Sequence, residues 1–196
     1  MGRVYELHVA LTGVEPSVWR SLRVPADLTL EALHRVLQAA MGWQHKHTYS
    51  FRPGRQEFGR IVPAGPRVED GLRLDELLAR GEGGFLYAYD PGDGWSHEVS
   101  VDKEYVDPAY DGSPACLIGG RACPPEDCGG PGGYYELLDA LSSPDHPDHR
   151  RLRKWAGPRF NPELFDLAAA NERLSALKPR RADIEDRLRR HSGSLH

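Results

Sequence analysis

The first strictly alternating stretch is VYELHVAL. Tyr5, Leu7, Val9 and Leu11 face one way and Glu6 and His8 the other, so a half-buried strand is predicted over residues 4–11. After the turn residues Gly13 and Pro16, SVWRSLRVP resumes the alternation. Val18, Leu22 and Val24 share one face, Trp19 lies opposite, and the closing proline stops sheet pairing. The two runs predict an antiparallel hairpin. The period then changes: Leu30, Leu33, Leu37, Ala40 and Met41 recur at helical spacing, Thr29 stands at the N-cap, Glu31 suits the positive end of the dipole, and Gly42 ends the helix.

WQHKHTYSFR returns to period two, which puts His45, His47, Tyr49 and Phe51 on one face and Lys46, Thr48, Ser50 and Arg52 on the other. Pro53-Gly54 is a turn signal, and QEFGRIV reads as the returning strand. LDELLARG predicts a short helix with Leu74, Leu77 and Leu78 on one side and Gly81 as its stop. Phe85 to Tyr89 and Trp95 to Val101 form a second hairpin around the turn-rich DPGDG. From Asp102 to Gly133 no period holds, and prolines and cysteines crowd the stretch from Pro108 to Pro131, so an irregular crossing is expected there. Helices are expected over Tyr134 to Leu141 and His149 to Trp155. A third should start near Pro162 and carry Leu164, Phe165, Leu167 and Ala168 inward. The predicted class is α+β: an antiparallel sheet built from hairpins, covered by helices, with a helical C-terminal third.

Composition narrows the picture. At 196 residues with 39% hydrophobic and 28% charged, the chain suits one domain, placed at residues 1–177. Residues 178–196 carry too little apolar material to be held down and read as a polar, flexible tail. No apolar run approaches the roughly 20 residues of a membrane span, and the N-terminus lacks the form of a signal peptide, so no membrane association and a cytoplasmic location are expected. The formal charge of −4 gives no general attraction to nucleic acid; such contact would need a local patch.

Candidate chemistry concentrates between Phe85 and Gly130. FLYAYDPGDGWSHEV supplies Tyr89, Asp90, Asp93, Trp95 and His97, and His45 and His47 add imidazoles from the preceding strand. Imidazole with carboxylate suits a hydrolytic metal centre or general acid–base work, while the same DPGDG loop is also what a wide hairpin turn looks like. PPEDCGG presents Glu126 and Asp127, as ligands or as caps for the next helix. Cys116, Cys123 and Cys128, spaced C-x6-C-x4-C, could hold zinc with a histidine as fourth ligand, could pair two into a disulfide, or could be small core hydrophobes. GxGxxG, P-loop, GxSxG and HExxH motifs are absent.

PSVWRSLRVPADLTLEALHRVLQAAMGWQHKHTYSF, YAYDPGDGWSHEV, CLIGGRACPPEDCGGPGGYYELL and WAGPRFNPELFDLAAAN, in that order, resemble the plasmid pRiA4b ORF-3-like family, also labelled insertion-element passenger proteins of a TnpR type. The resemblance spans roughly Tyr5 to Leu174. In it HKHTYSF stands where the family has an HLH-like block, so Lys46 replaces an apolar residue. It implies an α+β fold and a mobile-element or plasmid association, and it implies no activity. A serine recombinase's N-terminal nucleophilic serine amid arginines, and its helix-turn-helix, are not visible. Two readings therefore stand. One is a non-catalytic binding or accessory module that meets a protein or nucleic-acid partner through Trp19, Trp43, Tyr89 and Trp95. The other is a metal-dependent hydrolase or nuclease using the His/Asp site, with zinc as a candidate ion. Convergence of the ligands on one point separates the two.

Overall fold

The alternating runs pair as their periods require. In the computed structural model, which describes residues 2–54 and 71–177, β1 (Gly2–Leu11) and β2 (Trp19–Pro25) form the first hairpin, with Leu7 opposite Leu22. The second hairpin joins β4 (Gly84–Tyr89) to β5 (Trp95–Asp107), with Tyr87 opposite His97 and Tyr89 opposite Trp95. With β3 (Tyr49–Pro53) and β6 (Ala115–Gly120) they make one antiparallel sheet in the order β3-β4-β5-β1-β2-β6. Tyr5, Leu7, Val9, Leu22, Val24, Phe85, Tyr87 and Val99 are buried in the core. α1 (Leu30–Met41) contributes Leu30, Leu33, Val36 and Leu37 to the same core, capped by the Thr29 side chain, which accepts from Ala32 N, and closed by Gly42 at φ 94°. α2 (Leu74–Arg80) buries Leu74, Leu77 and Leu78. α3 (Gly130–Ser142), α4 (His149–Ala156) and α5 (Leu167–Ser175) make the C-terminal third helical.

Four expectations need correction. WQHKHTYSFR is not one strand: β3 begins at Tyr49, and His45 sits at φ 59°. Gly42 N and Trp43 N both donate to Gln38 O, and His45 N donates to Gln38 Oε1, so the chain curls back against α1 instead of extending. Its β3 strand pairs with β4, while QEFGRIV lies outside the described residues. The crossing after Val101 is more regular than its composition suggests, because β5 runs on to Asp107 and β6 extends the sheet beside β2. α3 starts at Gly130, ahead of the expected Tyr134. The last helix starts at Leu167, after Pro162. Asp166 caps it by accepting from Ala169 N, while Pro162 O is taken by Ala122 N. Leu164 and Leu167 are consequently exposed, and Ala170 and Leu174 face inward instead. The expected tail, 178–196, lies outside the described residues.

Arg20 alternates with Leu22 and Val24 on the inner face of β2 and is 1% exposed. Its partners are carbonyls: Nε donates to Ala40 O (3.2 Å), and Nη1 to Trp19 O (2.6 Å) and Gly120 O (2.9 Å). The guanidinium also lies 3.9 Å from the centre of the Phe165 ring. Arg173 Nε donates to Ala39 O at 2.7 Å. Two cations thus answer carbonyls at the negative end of α1 that the helix itself leaves unpaired. Arg20→Ala should destabilise the fold by on the order of 3 kcal/mol, since it orphans buried carbonyls and also removes the packing against Phe165. A urea midpoint unchanged from the parent protein would contradict this role.

Candidate functional site

Trp43 follows Gly42, stacks on Tyr89 with centroids 5.0 Å apart, and donates from Nε1 to Pro124 O at 2.9 Å. That bond brings the PPEDCGG loop onto the end of the sheet. Glu126 secures it: Oε1 accepts from Gln44 N (3.0 Å) and from the Tyr89 hydroxyl (2.7 Å), whose oxygen in turn accepts from Lys46 N (3.1 Å). The Glu126 side chain is 7% exposed. Its Oε2 receives no hydrogen bond and faces the Lys46 ammonium at 3.5 Å. Burial, reinforced by the Glu126 carboxylate, pushes the Tyr89 phenol well above its ordinary range, so it stays a donor.

The DPGDG turn supplies the opposite wall. Asp90, at φ 53°, accepts from Gly92 N (3.0 Å) and Asp93 N (3.3 Å) on Oδ1, which leaves Oδ2 aimed at His47 Nε2, 3.4 Å away. Asp127, at φ 61°, reaches the same nitrogen with Oδ1 at 2.9 Å and lies 3.7 Å from Lys46 Nζ through Oδ2. His47, Asp90 and Asp127 each offer one ligand atom, and these atoms lie within 4.8 Å of one another. Among the described residues they are the group of this kind that could hold a metal ion. Glu126 and Asp127 face the single ammonium of Lys46, while Asp90 and Asp127 face the His47 imidazole. Three carboxylates against one ammonium leave a formal excess of two negative charges before the imidazole is counted.

Asp93 does not join them. Its Oδ2 accepts from Gly129 N at 3.1 Å, so the side chain serves the start of α3. The GGPGG glycines allow this approach, since a Cβ on Gly130 would collide with Asp93 O and one on Gly133 with Cys128 O. Trp95 and His97 point into the core at 1% and 0% exposure, where the parity of β5 places them with Val99. His45 stays exposed and meets His34 through Nδ1 at 3.1 Å, away from this group. The cysteines are free; Cys116 is buried on β6, and Cys123 and Cys128 flank the Glu126 loop. Burial pushes the thiols up, Cys116 to about 11, Cys128 to about 12 and Cys123 higher still, so all three remain protonated. Two clefts, of about 520 and 400 Å³, border the site, and both are lined by Asp127 and Trp155.

Residues 3–169 match the family described as "Plasmid pRiA4b ORF-3-like protein". "Uncharacterized protein y4hQ" of Sinorhizobium fredii (strain NBRC 101917 / NGR234) is 40% identical over 172 residues, covering 86% of this chain and 86% of its own. A solved structure from Methanosarcina mazei Go1, described as "Protein of Unknown Function MM3350", is similar with a TM-score of 0.73 and 31% identity, covering 85% of this chain and 97% of that one.

Behind the site lies a second polar network that the sequence pattern does not announce. Gln38 Oε1 accepts from His45 N, which turns its amide nitrogen to donate to the Tyr87 hydroxyl at 3.0 Å. The Tyr87 proton is then left for His34 Nδ1 at 2.7 Å, and His34 carries its own proton on Nε2, 3.1 Å from His45 Nδ1. The available signal was His34 and Gln38, one helical turn apart within the apolar stripe of α1. Burial, with His45 and Arg35 nearby, lowers the His34 pKa to about 3, and burial lowers that of His97 to about 4. Both are neutral in the fold but take up protons in the unfolded chain below about pH 6.5. Their contribution is therefore complete above about pH 6.5 and drains away as the pH falls toward 4, on the order of 3 kcal/mol for His97. The urea midpoint should drop between pH 7 and pH 4.5, and His97→Leu should flatten that dependence; identical slopes for the two proteins would contradict the assignment.

Proposed function

The chain belongs to the plasmid pRiA4b ORF-3-like family, and on that footing we propose that it is a binding module whose polar site takes a divalent cation between His47, Asp90 and Asp127. The observation that carries the cation site is the convergence of three ligand atoms within 4.8 Å of one another, and a cation-binding module and a metal hydrolase share it, so convergence alone does not separate them. Ligands about 2.0–2.2 Å from a common ion stand roughly 3–4 Å apart, so small rotations of Asp127 suffice. One imidazole and two carboxylates suit a borderline or hard ion such as zinc or manganese better than the three protonated thiols do. The excess of two negative charges supports an ion of charge two, and the buried Glu126 holds Asp127 in place from behind.

A metal-dependent hydrolase or nuclease is the second reading. It is favoured by the small number of protein ligands, which leaves positions for water, and by the opening of Asp127 onto both clefts. The TnpR label and a mobile-element setting belong to this proposal as genetic context and give no residue a role.

Isothermal titration with zinc or manganese should give one site per chain. Asp90→Asn should weaken it by more than about 100-fold, the loss that an outer-shell change alone can reach. Lys46→Met should tighten it by removing a competing positive charge. If zinc binds with equal affinity to Asp90→Asn but is lost on blocking the thiols, the ion belongs to the cysteines and the reading fails. Hydrolysis of a model phosphodiester that requires the ion and disappears in Asp90→Asn would select the hydrolase over the module.

A further inference from the structure

Helix α4 is unlike the other helices in burying none of its residues. Its sequence, HRRLRKWA, has four Lys or Arg and no acid, in a chain whose formal charge is −4. At 100° per residue, Arg150, Lys154, Arg151 and Trp155 fall on one continuous arc, and these are the four exposed residues of the helix. The inward side is accounted for: His149 meets Ala140 O, Leu152 packs against the core, and Arg153 donates to Phe160 O at 2.9 Å. Arg151 is held by Asp148 at 2.8 Å, whereas Arg150 and Lys154 have no carboxylate partner among the described residues. Trp155 is 49% exposed and lines both clefts that Asp127 also lines.

We infer that the outer face of α4 docks single-stranded nucleic acid, with the cations on phosphates and the Trp155 indole stacked on an unpaired base. Cationic side chains beside an exposed flat aromatic ring are the combination that single-strand surfaces use, because every base offers a π-face while the backbone offers charge. A phosphate–cation match also explains why the cations gather on one helix of an acidic chain. A membrane surface fits less well, since insertion needs an apolar face and this arc has one aromatic residue between cations. Duplex fits less well because its bases are already stacked. The inference goes beyond the cation site and does not require the ion.

The test is fluorescence anisotropy of labelled 12-nucleotide single-stranded DNA and RNA titrated with the full chain in EDTA at low salt. Binding is expected, with log affinity falling against log salt with a slope of about −1.4 for the two phosphate contacts of Arg150 and Lys154. Trp155→Ala should weaken binding about tenfold. Arg150→Glu with Lys154→Glu should abolish it, and circular dichroism should be unchanged because all three positions are exposed. No binding, binding indifferent to these variants, or binding of the same-sequence duplex, an oligoglutamate peptide or phosphatidylserine vesicles at equal or greater strength would overturn it. Because EDTA is present throughout, failure here is separate from failure of zinc to bind at His47, Asp90 and Asp127, which is read without nucleic acid.

Discussion

A carboxylate taken out of water must find donors, and Glu126 finds them in the segment that leaves α1 and at the end of β4. Gln44 N and the Tyr89 hydroxyl satisfy one oxygen, and the Lys46 ammonium faces the other. This arrangement fixes two otherwise independent pieces of chain, residues 43–47 and the PPEDCGG loop, against the end of β4. Asp127 follows directly in a left-handed conformation that points it back across the same junction, where Asp90 and His47 already sit. The cation site is thus a consequence of how one buried acid is solvated by the protein.

The same reasoning explains how the C-terminal segments dock. Arg20 is the cationic counterpart of Glu126, buried by strand parity and solvated by carbonyls of β2, β6 and the end of α1. It draws Phe165 over itself, and Arg173 of α5 completes the helix end. The C-terminal segments therefore dock on the sheet through polar bonds to backbone as well as through Ala170 and Leu174. α4 stands outside this scheme, which is why its charged face is left to solvent.

Where local pattern and tertiary demand agree, the chain was legible. β1, β2, α1 with both caps, α2 and the β4–β5 hairpin follow from period and punctuation. The alternation of WQHKHTYSFR misled because Gln38 captures the backbone of Trp43 and His45 before a strand can form, and no period-two argument contains that bond. β6 was hidden among prolines and glycines, since at the sheet edge, with half-exposed or exposed positions after Cys116, it needs little alternation. In the site, His47 and Tyr89 were expected on strands and Asp90, Glu126 and Asp127 in turns or loops, and the five do meet. His97 and Trp95 were misplaced although β5 parity puts them with Val99 in the core. Arg20, His34 and Gln38 were missed because a polar residue within an apolar stripe reads as noise until its partners are known.

The most direct test of the cation site is anomalous diffraction at the zinc and manganese edges from crystals soaked with each ion. A single peak is expected within about 2.0–2.3 Å of His47 Nε2 and of one oxygen each from Asp90 and Asp127. A peak at Cys116, Cys123 and Cys128, or no peak in a crystal whose lattice leaves the junction open, would contradict it.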